Sequence, residues 1–185
     1  MKQLLVALVL GTMVGAAGAA QQIQPAQSEI MFAMRQMGVP VEGRFKRFGA
    51  EVNFDPARPQ AGRIQISIDT GSAGFGSPEL DLEVPKGTWL DAVRFPKAVF
   101  RSSSIRQTGP DRFDILGKLS LKGVDRDVTV PVKIVQSAGS MVATGTFAIK
   151  RLDYKVGDGE WSDASMVANE VQVRFSLALT GSASP

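Results

Sequence analysis

Apolar and polar residues alternate along most of the chain. The clearest case is residues 113–135, FDILGKLSLKGVDRDVTVPVKIV, where apolar residues recur at every second position on both sides of a polar turn at 123–127. Two such runs joined by a short turn predict an antiparallel β-hairpin with one apolar face. The pattern leaves open whether this face closes only around its own core or around something else.

The same alternation predicts further strands around residues 30–34, 41–45, 48–54, 64–68, 100–105, 142–149 and 171–179. Its phase changes between Phe45 and Phe48, which indicates a bulge or bend rather than a new element. About eight strands with mostly short turns predict an all-β fold, either a sandwich or an eight-stranded antiparallel β-barrel. We favour the barrel because closure removes free sheet edges. Its interior either fills with side chains or holds one small ligand.

Strand patterning lapses over residues 71–97. A Ser-Pro-Glu start at 77–79 predicts a short helix over 78–84, and 88–93 is compatible with a second helical turn, so the helical excursion covers about 77–93. Four large apolar residues lie in or beside it, namely Trp89, Leu90, Phe95 and Phe100. They are either ordinary core residues or part of a lid that gates an apolar cavity.

The first twenty residues have the pattern of a secretory signal peptide. One positive charge at Lys2 is followed by an apolar run from residue 4 to 10 and by small residues, which predicts cleavage near Ala19–Ala20. Residues 21–185 then form one exported domain. Elsewhere no window approaches membrane-spanning length, so we expect no stable membrane insertion.

The composition excludes several kinds of chemistry. The chain contains no cysteine and no histidine. The fold must therefore hold without disulfides, and Ser-His-Asp catalysis, Cys-His catalysis and the usual zinc and haem sites are excluded. The formal net charge is +3, with basic residues scattered singly except for RFKR at 44–47. This arrangement is typical of a solvated surface, so we expect no nucleic-acid partner.

The glycine-rich stretch GSAGFG at 71–76 superficially resembles a phosphate-binding loop. Its spacing, G-x-x-G-x-G, is not the dinucleotide fingerprint, and no βαβ unit surrounds it. We interpret it as a flexible connection into the helix.

A second loop, DYKVGDGEWSD at 153–163, gathers the carboxylates of Asp153, Asp158, Glu160 and Asp163. Paired carboxylates are able to perform acid–base chemistry or to hold calcium. The spacing does not match an EF-hand, however, and the glycines favour a mobile surface connection. A carboxylate-dependent hydrolase is therefore kept as the less favoured alternative.

Residues 89–130 resemble the YceI-like family of exported lipid- or polyisoprenoid-binding proteins. The resemblance is carried by Asp91 ahead of Phe95-Pro96, by Phe100 and Ser102, by the hairpin Gly117-x-Leu119-x-Leu121-x-Gly123, and by Val124, Arg126 and Val128. Further matches are VEGRFKRFGAEVNFD at 41–55, Arg151, and the closing NEVQVRFSLAL at 169–179. The resemblance spans essentially the whole chain after residue 20.

The resemblance implies a lipocalin-like β-barrel in the periplasm with a cavity for a long prenyl chain. It implies binding or transport of an isoprenoid lipid rather than catalysis, with no cofactor apart from a bound isoprenoid lipid or quinone, no metal, and a homodimer as one possible assembly. Members of the family often carry histidines where this chain has Gln27-Ser28 and Gln36-Met37. If those histidines hold a head group, this protein prefers a different head or none.

We expect the ligand to contact apolar residues of the strands and the lid: Phe32, Phe45, Phe48, Trp89, Leu90, Phe95, Phe100, Phe113, Leu119, Leu121, Phe147 and Phe175. Arg94 and Arg151 are candidates for holding a phosphate or quinone oxygen, since guanidinium offers several donors in fixed geometry. Ordinary surface arginines are the alternative interpretation. No catalytic residue is assigned. A solid-core barrel without a ligand, with a structural or partner-binding role, is the main alternative function.

Overall fold

Residues 20–137 and 139–181, described by a computed structural model, form one strongly curled antiparallel sheet. The predicted signal peptide lies outside this part of the chain, apart from Ala20, and stays a prediction. The eleven strands in this part are β1 (Gln22–Ile23), β2 (Glu29–Gln36), β3 (Val39–Phe45), β4 (Phe48–Asn53), β5 (Arg63–Asp69), β6 (Ala73–Gly74), β7 (Lys97–Gly109), β8 (Arg112–Leu121), β9 (Val124–Ser137), β10 (Ser140–Lys150) and β11 (Glu170–Thr180).

The sheet closes at a bend between β3 and β4. Neighbouring strands follow the order β4-β5-β7-β8-β9-β10-β11-β2-β3-β6, so β3 and β4 stand near its opposite ends. Only Lys46 and Arg47 separate these two strands, and the bend brings the ends together. There Lys46 N donates to Ser72 O at 3.1 Å, and Asp69 N donates to Arg47 O at 3.0 Å. With β3–β4 as one bent strand and the two-residue β1 and β6 set aside, eight long strands form the predicted lipocalin-like barrel.

Gln21 completes the closure at the other end of β4. Its backbone N donates to Val52 O at 2.8 Å. Its side-chain amide makes the two hydrogen bonds that the backbone of a neighbouring strand would make. Nε2 donates to Phe54 O at 2.8 Å, and Oε1 accepts from Phe54 N at 2.9 Å. The buried backbone groups of Phe54 are thereby satisfied without a further strand.

The inward-facing residues form two apolar clusters along the barrel. The basal cluster consists of Val52, Phe54, Ile105, Phe113, Ile115, Val130, Val132, Ile134, Met141 and Leu179. The cap-side cluster consists of Phe32, Ala73, Val84, Leu90, Ala98, Leu121 and Tyr154. The strand residues of both clusters follow the predicted period-two alternation, which places one side of each strand in the core, whereas Val84, Leu90 and Tyr154 come from the segments between strands.

Two segments, 75–96 and 151–169, cover the barrel end beside the cap-side cluster, and we call them the cap. The first contains α1 (Pro78–Glu83), which confirms the predicted short helix. Residues 88–93 form hydrogen-bonded turns instead of a second helical turn. Among the described residues, no helix has the length and apolar character needed to span a bilayer.

The glycine-rich stretch at 71–76 is more ordered than its sequence indicated. Thr70–Ser72 forms a 3-10 turn, and Ala73–Gly74 forms β6, which pairs with β3. Ala73 and Gly74 are buried. The stretch is therefore part of the barrel wall at its closure rather than a flexible connection.

Candidate functional site

The barrel encloses a cavity of about 120 Å³. Every residue that lines it is apolar, and the lining comes from eight of the strands and from Phe54 just after β4. These residues are Ile30, Val52, Phe54, Ile64, Ile66, Ile68, Ala98, Phe100, Ile115, Leu119, Val130, Val132, Ile134, Met141, Ala143, Phe147, Val173, Phe175, Leu177 and Leu179. Such a lining selects for hydrocarbon, because an unpaired polar group placed there loses its hydration without compensation.

The lining of the cavity extends along much of the barrel, and we call this cavity the channel. It includes residues from Met141 to Phe147 on β10 and from Val173 to Leu179 on β11. At about 3.3 Å per residue, either set covers about 20 Å of strand. The apolar lining is therefore long enough to contact an extended apolar chain.

Glycines in the barrel wall make room for the aromatic rings beside this channel. A Cβ atom at Gly117 would lie 2.6 Å from Cζ of Phe100, and one at Gly145 would lie 2.5 Å from Cζ of Phe175. Each ring thus occupies space that any other residue on the neighbouring strand would fill. The rings lie against the wall, and the width of the channel depends on these two glycine–phenylalanine pairs.

Four of the fourteen predicted ligand-contacting residues line the channel, namely Phe100, Leu119, Phe147 and Phe175. Five others belong to the apolar clusters around it: Phe32, Phe45, Leu90 and Leu121 on the cap side and Phe113 at the base. The structure thus brings nine of the fourteen into or next to the barrel interior.

The remaining five lie outside the lining of the channel. Two of them, Trp89 and Arg151, are buried together in the cap, with Cζ of Arg151 5.8 Å from the centroid of the Trp89 ring. The other three lie elsewhere. Phe48 lines a groove at the β3–β4 bend. Phe95 packs against Gly123, where a Cβ atom would lie 2.7 Å from its ring. Arg94 is three-quarters exposed, pairs with Asp91 at 3.4 Å and sits 5.3 Å from the centroid of the Phe95 ring. None of the three belongs to the lining of the channel.

Sixteen channel-lining residues were missed by the sequence prediction. Most are aliphatic, such as Ile64, Ile66 and Ile68 on β5 or Val130 and Val132 on β9. The signal that would have found them was present, since they occupy the inward phase of their strands. The prediction favoured aromatic residues over aliphatic ones, whereas the channel is defined by phase and not by residue type.

Arg151 organises the cap instead of facing the channel. It is only 1% exposed. All five of its N–H groups donate to backbone carbonyls: Nε to Ala168, Nη1 to Val156 and Gly157, and Nη2 to Trp161 and Val167, at 2.6–3.1 Å. No donor is left for a phosphate or quinone oxygen, so the proposed head-group role of Arg151 is not supported. The loop predicted to be a mobile connection is folded around this guanidinium.

The charge of Arg151 is held by dipoles rather than by a carboxylate. Within the described ranges no Asp or Glu forms an ion pair with it, and burial lowers the pKa of the guanidinium. Its Cζ atom lies 5.8 Å from the centroid of the Trp89 ring, whose π-face is attractive to a cation. The interior of the cap therefore carries a buried positive charge that five carbonyls and one aromatic ring stabilise.

Lys122 joins the two cap segments. Its Nζ donates to Thr88 O at 3.0 Å in the first segment and to Lys155 O at 2.6 Å in the second. Asp158 lies 3.8 Å from the same nitrogen. Burial lowers the pKa of Lys122, while the Asp158 carboxylate acts in the opposite direction. The backbone turns into the barrel strand at this residue with a φ of 48°.

Two of the four carboxylates of the 153–163 loop have structural partners. Asp158 faces Lys122, and Asp163 accepts a hydrogen bond from Ser165 N at 2.8 Å. Hydrogen bonds from Ser165 lower the pKa of Asp163, whereas a general acid needs a raised one. Within residues 20–137 and 139–181, no three acidic side chains come together as a metal site.

Tyr154 provides a pH-dependent test of the cap-side packing. It is the only tyrosine of the chain and is 2% exposed. Burial raises its pKa from 10.0 to about 12. The pKa of Tyr154 is higher in the folded protein than in the unfolded chain. The contribution of the neutral, buried Tyr154 to the free energy of unfolding is therefore complete below pH 10 and is lost as the pH rises towards 12. We expect phenolate absorbance to appear only near pH 12 while the protein stays folded. A folded protein that titrates near pH 10 would contradict this packing.

A closed antiparallel barrel with an apolar channel and a capped end defines a lipocalin-like protein. A sequence model described as the YceI-like domain matches residues 21–179. The chain therefore belongs to the YceI-like family, which confirms the resemblance found in its sequence.

Relatives and solved structures agree with this assignment. A UPF0312 protein of Azotobacter vinelandii is 30% identical over 142 residues, covering 73% of this chain and 74% of the relative. The crystal structure of BcnA from Burkholderia cenocepacia superposes on this chain with a TM-score of 0.82. The two sequences are 40% identical, and the match covers 84% of this chain and 98% of BcnA. A polyisoprenoid binding domain from Saccharophagus degradans has a TM-score of 0.73 at 17% identity, covering 88% and 98% of the two chains. At that identity the last likeness shows the fold alone.

Proposed function

We propose that the protein binds a long, linear lipid of the isoprenoid type in its barrel and carries it without chemical change. The observation that carries this proposal is the wholly apolar lining of the channel, which covers about 20 Å of strand on β10 and on β11. Each buried methylene of such a chain contributes about 0.8 kcal/mol. Several prenyl units therefore bind well without any charged contact.

One solved structure with the same fold supports this choice of ligand. The Saccharophagus degradans neighbour is described as a polyisoprenoid binding domain, and it shares the fold of this chain. The same architecture therefore accepts a prenyl chain in at least one relative. The proposal transfers that ligand class on the strength of the apolar lining of this barrel.

The set of side chains that could catalyse a reaction is small, which favours a carrier over an enzyme. Without histidine or cysteine, the remaining candidates for acid–base chemistry are carboxylates. Asp158 and Asp163 of the cap are engaged by Lys122 and Ser165.

The proposal includes export to the periplasm, which is based on the predicted signal peptide.

A barrel that closes on its own side chains is the second candidate, and one observation favours it. The cavity of about 120 Å³ is smaller than the roughly 300–1,000 Å³ that is usual for ligand sites. Loading a prenyl chain therefore requires inward-facing rings such as Phe100 and Phe147 to move. The lipid-binding barrel and the solid-core barrel therefore differ in whether these rings move aside when a ligand enters.

Native mass spectrometry of the mature protein purified from the periplasm tests the proposal. We expect a mass above that of the polypeptide, which organic extraction then assigns to a prenyl lipid or prenylquinone. A bare polypeptide mass, both as purified and after incubation with prenyl lipids, would overturn the proposal and establish the solid-core alternative.

A further inference from the structure

The hydrogen-bonded ladder between β9 and β10 covers only part of these two strands. Six residue pairs join them, and the pair nearest the cap is Val132–Gly145. By contrast, ten pairs join β9 to β8 and eleven join β10 to β11. In the described part of the barrel, residues 124–131 of β9 and 146–150 of β10 therefore have no strand partner on the sides that face each other. We call the gap between these two edges the window.

The window has a defined boundary at each end. At its basal end the two strands are in close contact, since a Cβ atom at Gly145 would lie 2.5 Å from Pro131 O. Pro131 has no N–H to donate, and proline in a sheet is confined to edges and bulges, which explains why the ladder stops here. At its cap end the 3-10 turn Arg151–Tyr154, which follows β10, contacts β9. The window is therefore a bounded opening in the barrel wall just below the cap.

Arg126 shows that solvent reaches the inner side of the wall at the window. It lies directly opposite Leu119 in the ladder between β8 and β9, and residues in such a pair point to the same face of the sheet. Leu119 lines the channel, so Arg126 has the inward phase. Arg126 is nevertheless exposed. Water therefore reaches an inward-phase side chain next to a residue of the channel wall.

A thin layer of apolar side chains separates the window from the channel. Val128 on β9 and Ile149 on β10 have the inward phase but do not line the channel, and both are only half-buried. Nearer the base, Val130 and Val132 are 6% and 5% exposed. Phe147, between the two edges and the channel, belongs to the channel lining. Side chains change rotamer within nanoseconds, whereas parting a ladder breaks backbone hydrogen bonds, so this layer opens more easily than the wall elsewhere.

The two ends of the barrel are closed by stronger contacts. At the cap, Lys122 joins the two segments through two carbonyls, and the guanidinium of Arg151 is held by five more. At the base, Phe54 and Phe113 are 1% and 2% exposed, and their ring centroids lie 5.2 Å apart in an edge-to-face arrangement. Passage through the window leaves all of these contacts in place.

We propose that the apolar ligand enters and leaves the channel laterally, through the window between β9 and β10, while the cap stays closed. Val128, Phe147 and Ile149 change rotamer to admit the chain, and Arg126 lies at the rim of the opening. This proposal rests on the proposed function and adds the route by which the ligand is exchanged.

The test places a chemical label in the window. The chain contains no cysteine, so one introduced cysteine directs a maleimide to a single position. Arg126→Cys carries the label into the window. Asp127→Cys is the matched control, because Asp127 is the next residue of β9, is exposed and points to the outer face. The probe is all-trans-retinol, a fluorescent isoprenoid alcohol, and stopped-flow fluorescence measures its uptake and its release.

We expect a bulky maleimide at position 126 to slow uptake and release by the same factor, at least about tenfold, and to leave the Kd unchanged. An obstructed route raises one barrier that the ligand crosses in both directions. The same label at position 127 should leave both rates as they are in the unmodified protein. Methylthiolation of Arg126→Cys, which adds only a small group, should also leave both rates unchanged and so separates obstruction from the loss of the arginine.

Two results would overturn the lateral route. Unchanged rates with the bulky label at position 126 would place the route at the cap or at the base. A weaker affinity with an unchanged rate of uptake would mean that position 126 borders the bound ligand and not its path. If the unmodified protein takes up no retinol, the proposed function itself is overturned, and the lateral route with it.

Discussion

Protein carrying Ala143→Phe is expected to fold but to bind the proposed prenyl lipid much more weakly than the unmodified protein. Ala143 lines the channel on β10. Apolar cavities of about 150 Å³ accept a benzene molecule. The channel holds about 120 Å³, so a phenyl ring at this position occupies space that a ligand would need and crowds the neighbouring side chains. We expect the affinity for prenyl lipid to fall at least about tenfold, and the free energy of unfolding to decrease by about 1–3 kcal/mol through overpacking.

Native mass spectrometry and urea unfolding measure the two effects separately. Ala148→Phe is the matched control, since Ala148 is on the same strand but exposed on the outer face. It should retain full lipid load. A folded Ala143→Phe protein that carries as much lipid as the unmodified protein would show that the ligand lies outside the channel.

Arg151→Lys is expected to be the most destabilising conservative change in the cap. Lysine keeps the charge but offers three donors instead of five, so at least two buried carbonyls lose their partner. Each such loss costs about 1–3 kcal/mol, so two losses decrease the free energy that holds the cap closed by about 2–6 kcal/mol. Both tryptophans of the chain lie in the cap. Their emission should therefore change at lower urea concentration than the far-ultraviolet circular dichroism of the strands.

Arg174→Lys serves as the control for this measurement, because Arg174 is exposed on β11. It should shift the unfolding free energy by no more than about 0.5 kcal/mol. Coincident transitions at the unmodified midpoint in Arg151→Lys would mean that the five carbonyl bonds do not determine cap stability.

Much of the barrel can be predicted from the sequence, because its strands follow the alternation of apolar and polar residues. Alternation in 113–135 correctly places Phe113, Ile115 and Leu121 inside. The change of phase between Phe45 and Phe48 correctly indicates the bend at which the sheet closes. Side-chain direction in a strand follows from position alone, so residue order is sufficient for these features.

The cap is not accessible in the same way. The partners of Arg151 are backbone carbonyls, which every residue possesses and which leave no mark in the sequence. The loop therefore looked mobile although five bonds order it. Likewise, the channel width depends on which ring lies opposite Gly117 or Gly145, and this pairing is fixed by strand register across the barrel. Such register is a non-local property that a reading of single segments does not provide.

The closure of the barrel around the β3–β4 bend has a consequence for how the barrel widens. Eleven residue pairs join β10 to β11, but β3 meets β6 through two pairs and Gln21 meets β4 through one bridge. These weak contacts lie on opposite edges of the bent β3–β4 strand, because β2 pairs with the other edge of β3 and β5 pairs with the other edge of β4. A change of the bend at Lys46–Arg47 therefore breaks few backbone hydrogen bonds, whereas separation of any two long strands breaks many. We expect the barrel to widen at this bend, while the long ladders keep their register.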